Sequence, residues 1–169
     1  VNDNWREDRV NAALRGRNPT VLRRMRAGFA VIGDNQYLPG YCLLLTDDPL
    51  ANRLTDLPRQ RRLEFLADME LLGEAVERVC ARRDPAFRRM NFEILGNQEA
   101  FLHAHVRPRY EWEPAGVRNR PVAAYPREHW NDPAHALSAR HDELRAELVA
   151  ELEAVESESA VGSRGRHAG

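Results

Sequence analysis

The chain contains no lysine; all 25 of its basic residues are arginine. That absence excludes two chemistries. A Walker A phosphate loop needs a lysine at the phosphates, and a Schiff-base enzyme needs one to form its imine. Cysteine is scarce as well. The only two, Cys42 and Cys80, lie in apolar stretches without metal-ligand spacing, which implies reduced core thiols. No apolar run approaches the ~20 residues of a membrane-spanning helix. The first residues, Val1 to Arg6, lack the apolar core of a signal peptide, so a cytoplasmic protein with no membrane contact is expected. An excess of one sign of charge is also missing. The formal net charge is −1, so no global field draws in nucleic acid. A 169-residue chain, 43% hydrophobic and 30% charged, fits one soluble domain with a proper core.

The pattern of elements comes next. Residues 5–15 carry apolar points at Trp5, Val10 and Leu14 and suit a short helix, broken at Asn18-Pro19. Thr20 to Met25 and Gly28 to Ile32 read as strands, and Pro39-Gly40 marks a turn before a short buried strand, Tyr41 to Leu45. Leu57 to Arg83 is the clearest helix. Leu63, Leu66, Met69, Leu72, Val76 and Val79 follow the spacing that buries one face, and Pro58 suits the first turn. Met90 to Leu95 and Phe101 to Arg107 read as the central strands, joined through Gly96-Asn97-Gln98, and Pro121 to Tyr125 as an edge strand. Ser138 suits the N-cap of a last helix with Leu144, Leu148 and Leu152 on one face. From Val155 to Gly169 the composition is polar or small, and a disordered tail is expected. This order predicts an α+β domain: an antiparallel sheet with one long helix and a C-terminal helix packed on it.

The chemistry concentrates in Phe101-Leu102-His103-Ala104-His105-Val106-Arg107-Pro108-Arg109. Side chains alternate along a strand, so His103 and His105 share a face about 7 Å apart, with Leu102, Ala104 and Val106 turned into a core. Two imidazoles on one sheet face suit metal binding or chemistry on a phosphate.

This run resembles the signature of the histidine-triad superfamily, three histidines separated by single hydrophobic residues and often followed by Pro-Arg. Aligned on Pro108-Arg109, the second and third histidines fall on His103 and His105, and the first falls on Phe101. The segment Asn91 to Asn97 resembles the Asn-rich stretch of the diadenosine-tetraphosphate-hydrolase-like branch. Asp34 to Leu45 resembles the family's Pro-Gly-His strand, with Tyr41 where histidine is usual. The resemblance covers roughly residues 20–115, within a single domain over 1–154 whose residues 116–154 form a C-terminal extension.

The resemblance implies a nucleotide hydrolase acting on a dinucleoside polyphosphate or another adenylylated substrate. His103 would attack the α-phosphorus to give a nucleotidyl-histidine, which water then hydrolyses. His105 would stabilise the charge on a non-bridging oxygen. Asn97 and Gln98 would hold phosphate oxygens, Asn91 the phosphate or ribose edge, Asp34 the ribose hydroxyls, and Arg107 a polyphosphate. The family's first histidine is not the nucleophile, so Phe101 is compatible with activity and can wall the site. The resemblance also implies a homodimer. No cofactor is expected, and a divalent metal would act only as a complex with the polyphosphate.

Three other readings compete. A non-catalytic nucleotide-binding module is suggested by the missing first histidine. A nucleotidyltransferase would pass through the same intermediate, but its His-Pro-His signature is not matched by Leu102, Ala104 and Val106. A cupin-like metal site misses its spacing by one residue at Gly96 to His103 and again at His105 to Glu111; Pro108 would interrupt its strand, and the long helix contradicts its all-β fold.

Overall fold

Short apolar runs between residues 21 and 46 form three consecutive antiparallel strands, β1 (Val21–Arg24), β2 (Gly28–Ile32) and β3 (Cys42–Thr46), and β2 and β3 are buried along almost their whole length. The computed structural model describes residues 4–165, with side chains to 161. Two further strands, β4 (Phe87–Glu93) and β5 (His103–Tyr110), complete a five-stranded antiparallel sheet in the order β1-β2-β3-β5-β4. Only β5 of the two expected central strands is central. Leu45 pairs with His103 and Leu43 with His105, so β5 takes the place beside β3 and leaves β4 at the edge. Pro108 does not interrupt β5. The β3 ladder ends at the Cys42–Val106 pair, so Pro108, which has no N–H to give, lies beyond it.

One sheet face carries the main core. Ala30, Ile32, Cys42, Leu44, Ala104 and Val106 pack there against helix α2 (Arg59–Arg83) and the last helix, α4 (Asp142–Gly165). The buried stripe of α2 is Phe65, Asp68, Leu72, Ala75, Val76 and Val79. Leu63 lies two residues off that stripe, about 200° around the helix, and is 55% exposed rather than buried. Asp68 turns inward because its carboxylate accepts the Ala27 backbone N–H at 2.6 Å, fixing the β1–β2 turn. Gly28 in that hairpin is required sterically, since any Cβ there would strike the Leu45 carbonyl. Both cysteines are buried free thiols.

Two expectations are corrected on the C-terminal side. Pro121 to Tyr125 is a single 3-10 turn, not a strand. Ala124 N–H donates to Pro121 O and Tyr125 N–H to Val122 O, which carries the two buried side chains, Val122 and Tyr125, at a spacing of three. The segment from Val155 is no disordered tail as far as Gly165, because α4 runs through it. Val155 continues the buried stripe of Leu144, Leu148 and Leu152, while Glu156 pairs with Arg23 at 2.6 Å and Glu158 with Arg78 at 2.8 Å. Residues 166–169 of that expected tail lie outside the described residues. Between α2 and α4 runs a seam of ion pairs: Arg78 and Arg82 to Glu151, and Arg83 to Glu143 and Glu147. No helix among the described residues is long and apolar enough to cross a membrane.

The opposite sheet face carries the histidines. Helix α1 (Arg9–Leu14), capped by the Asp8 carboxylate on Asn11 N–H, covers one end of it. There Ala13 packs with Phe29, Val31 and Leu45 in a smaller second cluster that Phe101 borders. Along the other end lies an irregular segment, residues 114–141, containing helix α3 (Arg127–Asn131). Its seat is specific. Asn35 donates to the carbonyls of His129 and Trp130, Leu137 N–H donates to Asp34 O, and Gln36 N–H to His135 O. Tyr37 stacks on His129 with ring centroids 4.4 Å apart and meets Trp112, Tyr125, Trp130 and His135 edge-on.

Candidate active site

Strand alternation puts His103, His105, Arg107 and Arg109 on one face of β5, and ladder pairing sets Glu93 beside His105 and Asn91 beside Arg107. The imidazoles of His103 and His105 lean together, with ring centroids 4.9 Å apart at 77°. They separate two cavities. A more polar one of about 460 Å³ is walled by the 95–99 loop on one side and by Tyr125, Arg127 and Trp130 on the other. A more apolar one of about 210 Å³ is lined by Val31, Leu43, Leu45 and Phe101, with Asp34 at its polar end.

The hydrogen bonds assign opposite tautomers to the two rings. His103 Nδ1 lies 2.8 Å from the Phe101 carbonyl, which can only accept, so Nδ1 carries the proton and Nε2 keeps its lone pair. His105 Nδ1 receives the Tyr41 hydroxyl at 2.7 Å and Arg107 Nη2 at 3.0 Å. Arginine is always a donor, so His105 Nδ1 accepts and Nε2 bears the hydrogen. Burial depresses the basicity of both rings. For His103 desolvation is the main cause. His105 falls to about 3, through desolvation, then the neighbouring Arg107 cation, then His103. Both imidazoles are therefore neutral at physiological pH. Tyr41 is pushed up to about 12, chiefly by burial, so its hydroxyl stays protonated and donates.

The expected site residues divide. His103, His105, Asn97, Gln98 and Arg107 all line the polar cavity. The 95–99 turn depends on Gly96, whose φ of +72° suits glycine. Asp34 lines the apolar cavity, but its carboxylate is held by Arg9 at 2.7 Å and Arg6 at 3.5 Å. Arg107 is 8% exposed and already engaged. Its guanidinium lies over Tyr41 at 4.3 Å and Trp130 at 5.5 Å. Its Nε is 3.2 Å from Glu93 Oε2 but misaligned, which leaves both atoms buried without a hydrogen bond. Asn91 lies apart from the histidine cavities, where its Oδ1 accepts from Arg109 Nη1 at 2.7 Å.

Tyr41, Trp130 and Arg127 line the polar cavity although sequence reasoning did not assign them, and Glu93 meets Arg107 at its edge. Tyr41 had one readable signal, since a hydroxyl at a family histidine position still supplies a donor. Arg127 and Trp130 arrive on an irregular segment with no periodicity to read.

The fold is that of histidine-triad proteins. Among solved structures the chain is similar to a histidine triad protein from Marinobacter aquaeolei, with 20% identity and a TM-score of 0.64 over 80% of this chain and 89% of that one. It is similar to another from Bradyrhizobium japonicum, with 17% identity and a TM-score of 0.65 over 78% of this chain and 89% of that one. A hypothetical histidine triad nucleotide-binding protein from Sulfolobus tokodaii shares 13% identity and a TM-score of 0.62, over 87% of this chain and 92% of that one. No protein-family model and no curated protein matches the sequence.

Proposed function

We propose that this protein is a nucleotide hydrolase that cleaves at the α-phosphorus through a nucleotidyl-histidine, with dinucleoside polyphosphates or other adenylylated compounds as substrates. The carrying observation is the pair of opposite partners at the two Nδ1 atoms, a carbonyl on His103 and two donors on His105, which imply a free Nε2 lone pair on His103 beside an Nε2–H on His105. The first is a nucleophile and the second a donor for a non-bridging phosphate oxygen.

In the first step the His103 Nε2 lone pair forms a bond to phosphorus. The bond from phosphorus to the leaving group breaks, and the leaving group departs with that electron pair. The ring becomes cationic, and the Phe101 carbonyl on Nδ1–H stabilises it. In the second step water adds to phosphorus, the P–N bond breaks, its pair returns to Nε2, and the water's proton passes to solvent. The apolar cavity suits a nucleoside, with Asp34 offered to ribose hydroxyls once Arg9 moves away. The polar cavity, with Asn97, Gln98 and Arg127, suits the leaving group. Arg107 serves here as a positioning residue that holds His105, and no role in substrate binding is proposed for Asn91. A divalent metal enters only with the polyphosphate. A cytoplasmic homodimer is proposed on the family resemblance, and the molar mass in solution, measured by light scattering, tests the dimer.

The test is turnover of diadenosine tetraphosphate and an AMP amidate by wild type and His103→Ala, with intact-mass detection of an AMP adduct. Turnover or an adduct, absent in His103→Ala, supports the proposal. AMP binding without turnover or adduct overturns it in favour of a non-catalytic nucleotide-binding module, a reading that Phe101 and the Arg9–Asp34 pair favour.

A further inference from the structure

On the far side of the Glu93–Arg107 pair, outside both histidine cavities, the edge strand β4 and the segment 118–121 enclose an open cleft of about 370 Å³. Arg88, Arg89, Arg109, Arg118 and Arg120 line it, with Glu93 as its one acidic residue. Not all of this charge is balanced. Arg109 is neutralised by Glu113, to which it donates at 3.0 and 3.1 Å, and Glu93 is taken by Arg107. Arg88 and Arg118 share one carboxylate, that of Glu111. The side chains of Arg89 and Arg120 have no hydrogen-bond or ion-pair partner among the described residues. Three guanidinium charges are thus uncompensated on one concave surface of a chain whose overall formal charge is −1.

The cleft is also built rather than incidental. Arg109 is 4% exposed and donates to the carbonyls of Arg118 at 2.8 Å and Arg120 at 3.1 Å, which pins the loop that presents both arginines. Arg88 ties the same loop to β4 through Arg118 O and Asn119 Oδ1, each at 3.4 Å. Like charges held this close repel unless an anion lies among them. Guanidinium forks match phosphate oxygens in pairs, and a chain of phosphates supplies several charges within the cleft's span.

We propose that the cleft bordered by Arg88, Arg89, Arg118 and Arg120 is a second anion site, separate from the histidines, that takes an oligophosphate chain. It stands whether or not His103 is a nucleophile.

Binding of inorganic tripolyphosphate to the full chain by titration calorimetry, with amide shifts mapped by NMR, tests this. Four proteins are compared: wild type, Arg89→Ala/Arg120→Ala, His103→Ala, and an equal-charge control, Arg15→Ala/Arg59→Ala, whose residues do not line the cleft. Saturable binding is expected, weakened at least about tenfold in Arg89→Ala/Arg120→Ala and within about twofold of wild type in the other two. It should fall with added salt as multivalent phosphate contacts do. Shifts should centre on residues 88–91 and 118–121. Arg89 and Arg120 are exposed and unpartnered, so their loss should leave the melting temperature unchanged. The proposal is overturned by an absence of saturable binding, by an equal loss in the control pair, or by loss in His103→Ala with shifts centred on residues 95–105. Affinity for a single-stranded oligonucleotide that rises with its length and exceeds that for tripolyphosphate would also overturn it, in favour of a nucleic-acid surface.

Discussion

Arg107 and Arg109 stand two residues apart on the same face of β5, and their surroundings give them different work. Arg109 is saturated: Glu113, Asn91, the Tyr125 hydroxyl and two backbone carbonyls receive its donors. Tyr125 closes the circuit by donating to Glu113. Arg107 is under-used. It meets Glu93 off-axis, leaves its Nε without a hydrogen bond, and spends its charge on the Tyr41 ring and on His105. A buried arginine with every donor placed holds a loop in position. One with a donor to spare, beside a ring of depressed basicity, acts on that ring rather than on a loop.

The strongest way to break this contrast is Arg109→Ala. It strands a fully buried Glu113 carboxylate and should cost about 3–5 kcal/mol in denaturant unfolding. A loss under ~1 kcal/mol would remove the claim that Arg109 is structural.

Arg107→Ala should invert the balance. Its ion pair is misaligned, so stability should fall by only about 1–3 kcal/mol, while kcat/KM falls by roughly 10- to 100-fold. Without the cation beside it, His105 should titrate nearer its ordinary range, and an acid limb should appear in the pH–rate profile. Equal effects from the two arginine variants on stability and activity would erase the distinction between them.

Tyr41→Phe is smaller and more selective. It removes one of the two donors that fix the His105 tautomer, worth about 1 kcal/mol or roughly five- to tenfold in kcat, with KM and melting temperature little changed. A shift confined to KM would make Tyr41 a wall of the cavity rather than a positioning residue.

A further effect is a dependence of stability on pH. The unfolded chain takes up protons at histidine near pH 6.5, whereas folded His105 stays neutral down to about 3. Fewer protons bound in the folded state means that this contribution is complete above pH 6.5 and declines as pH falls from there toward 3. Denaturation midpoints should drop through that window, and His105→Gln should flatten part of the slope. An unchanged slope in His105→Gln would show that the ring is not sheltered as described.

Much of this site was legible in the residues because strand alternation is a strong constraint. Once residues 103–107 are extended, His103 and His105 must share a face with Arg107, and Val106 must enter the core. The β4 position was not legible, because local pattern does not say which of two adjacent strands takes the place beside β3. Nor was the wall formed by Arg127 and Trp130, which is set by Asn35 gripping backbone carbonyls, a contact without sequence periodicity. The length of α4 was half legible. Val155 continues the leucine stripe, but farther on the helix rests on Glu156 and Glu158 paired with arginines of β1 and α2, and isolated acidic residues read as solvated chain.

The arginine–glutamate seam between α2 and α4 makes ionic strength a mechanical variable for this molecule. Several of its pairs are solvent-screened, so raising salt should loosen the outer turns of α4 while the sheet beneath, held by apolar burial and ladder hydrogen bonds, stays closed. In hydrogen exchange, the amides of 153–161 would then gain exchange rate with salt and those of β3 and β5 would not, so that the last helix breathes on a rigid sheet.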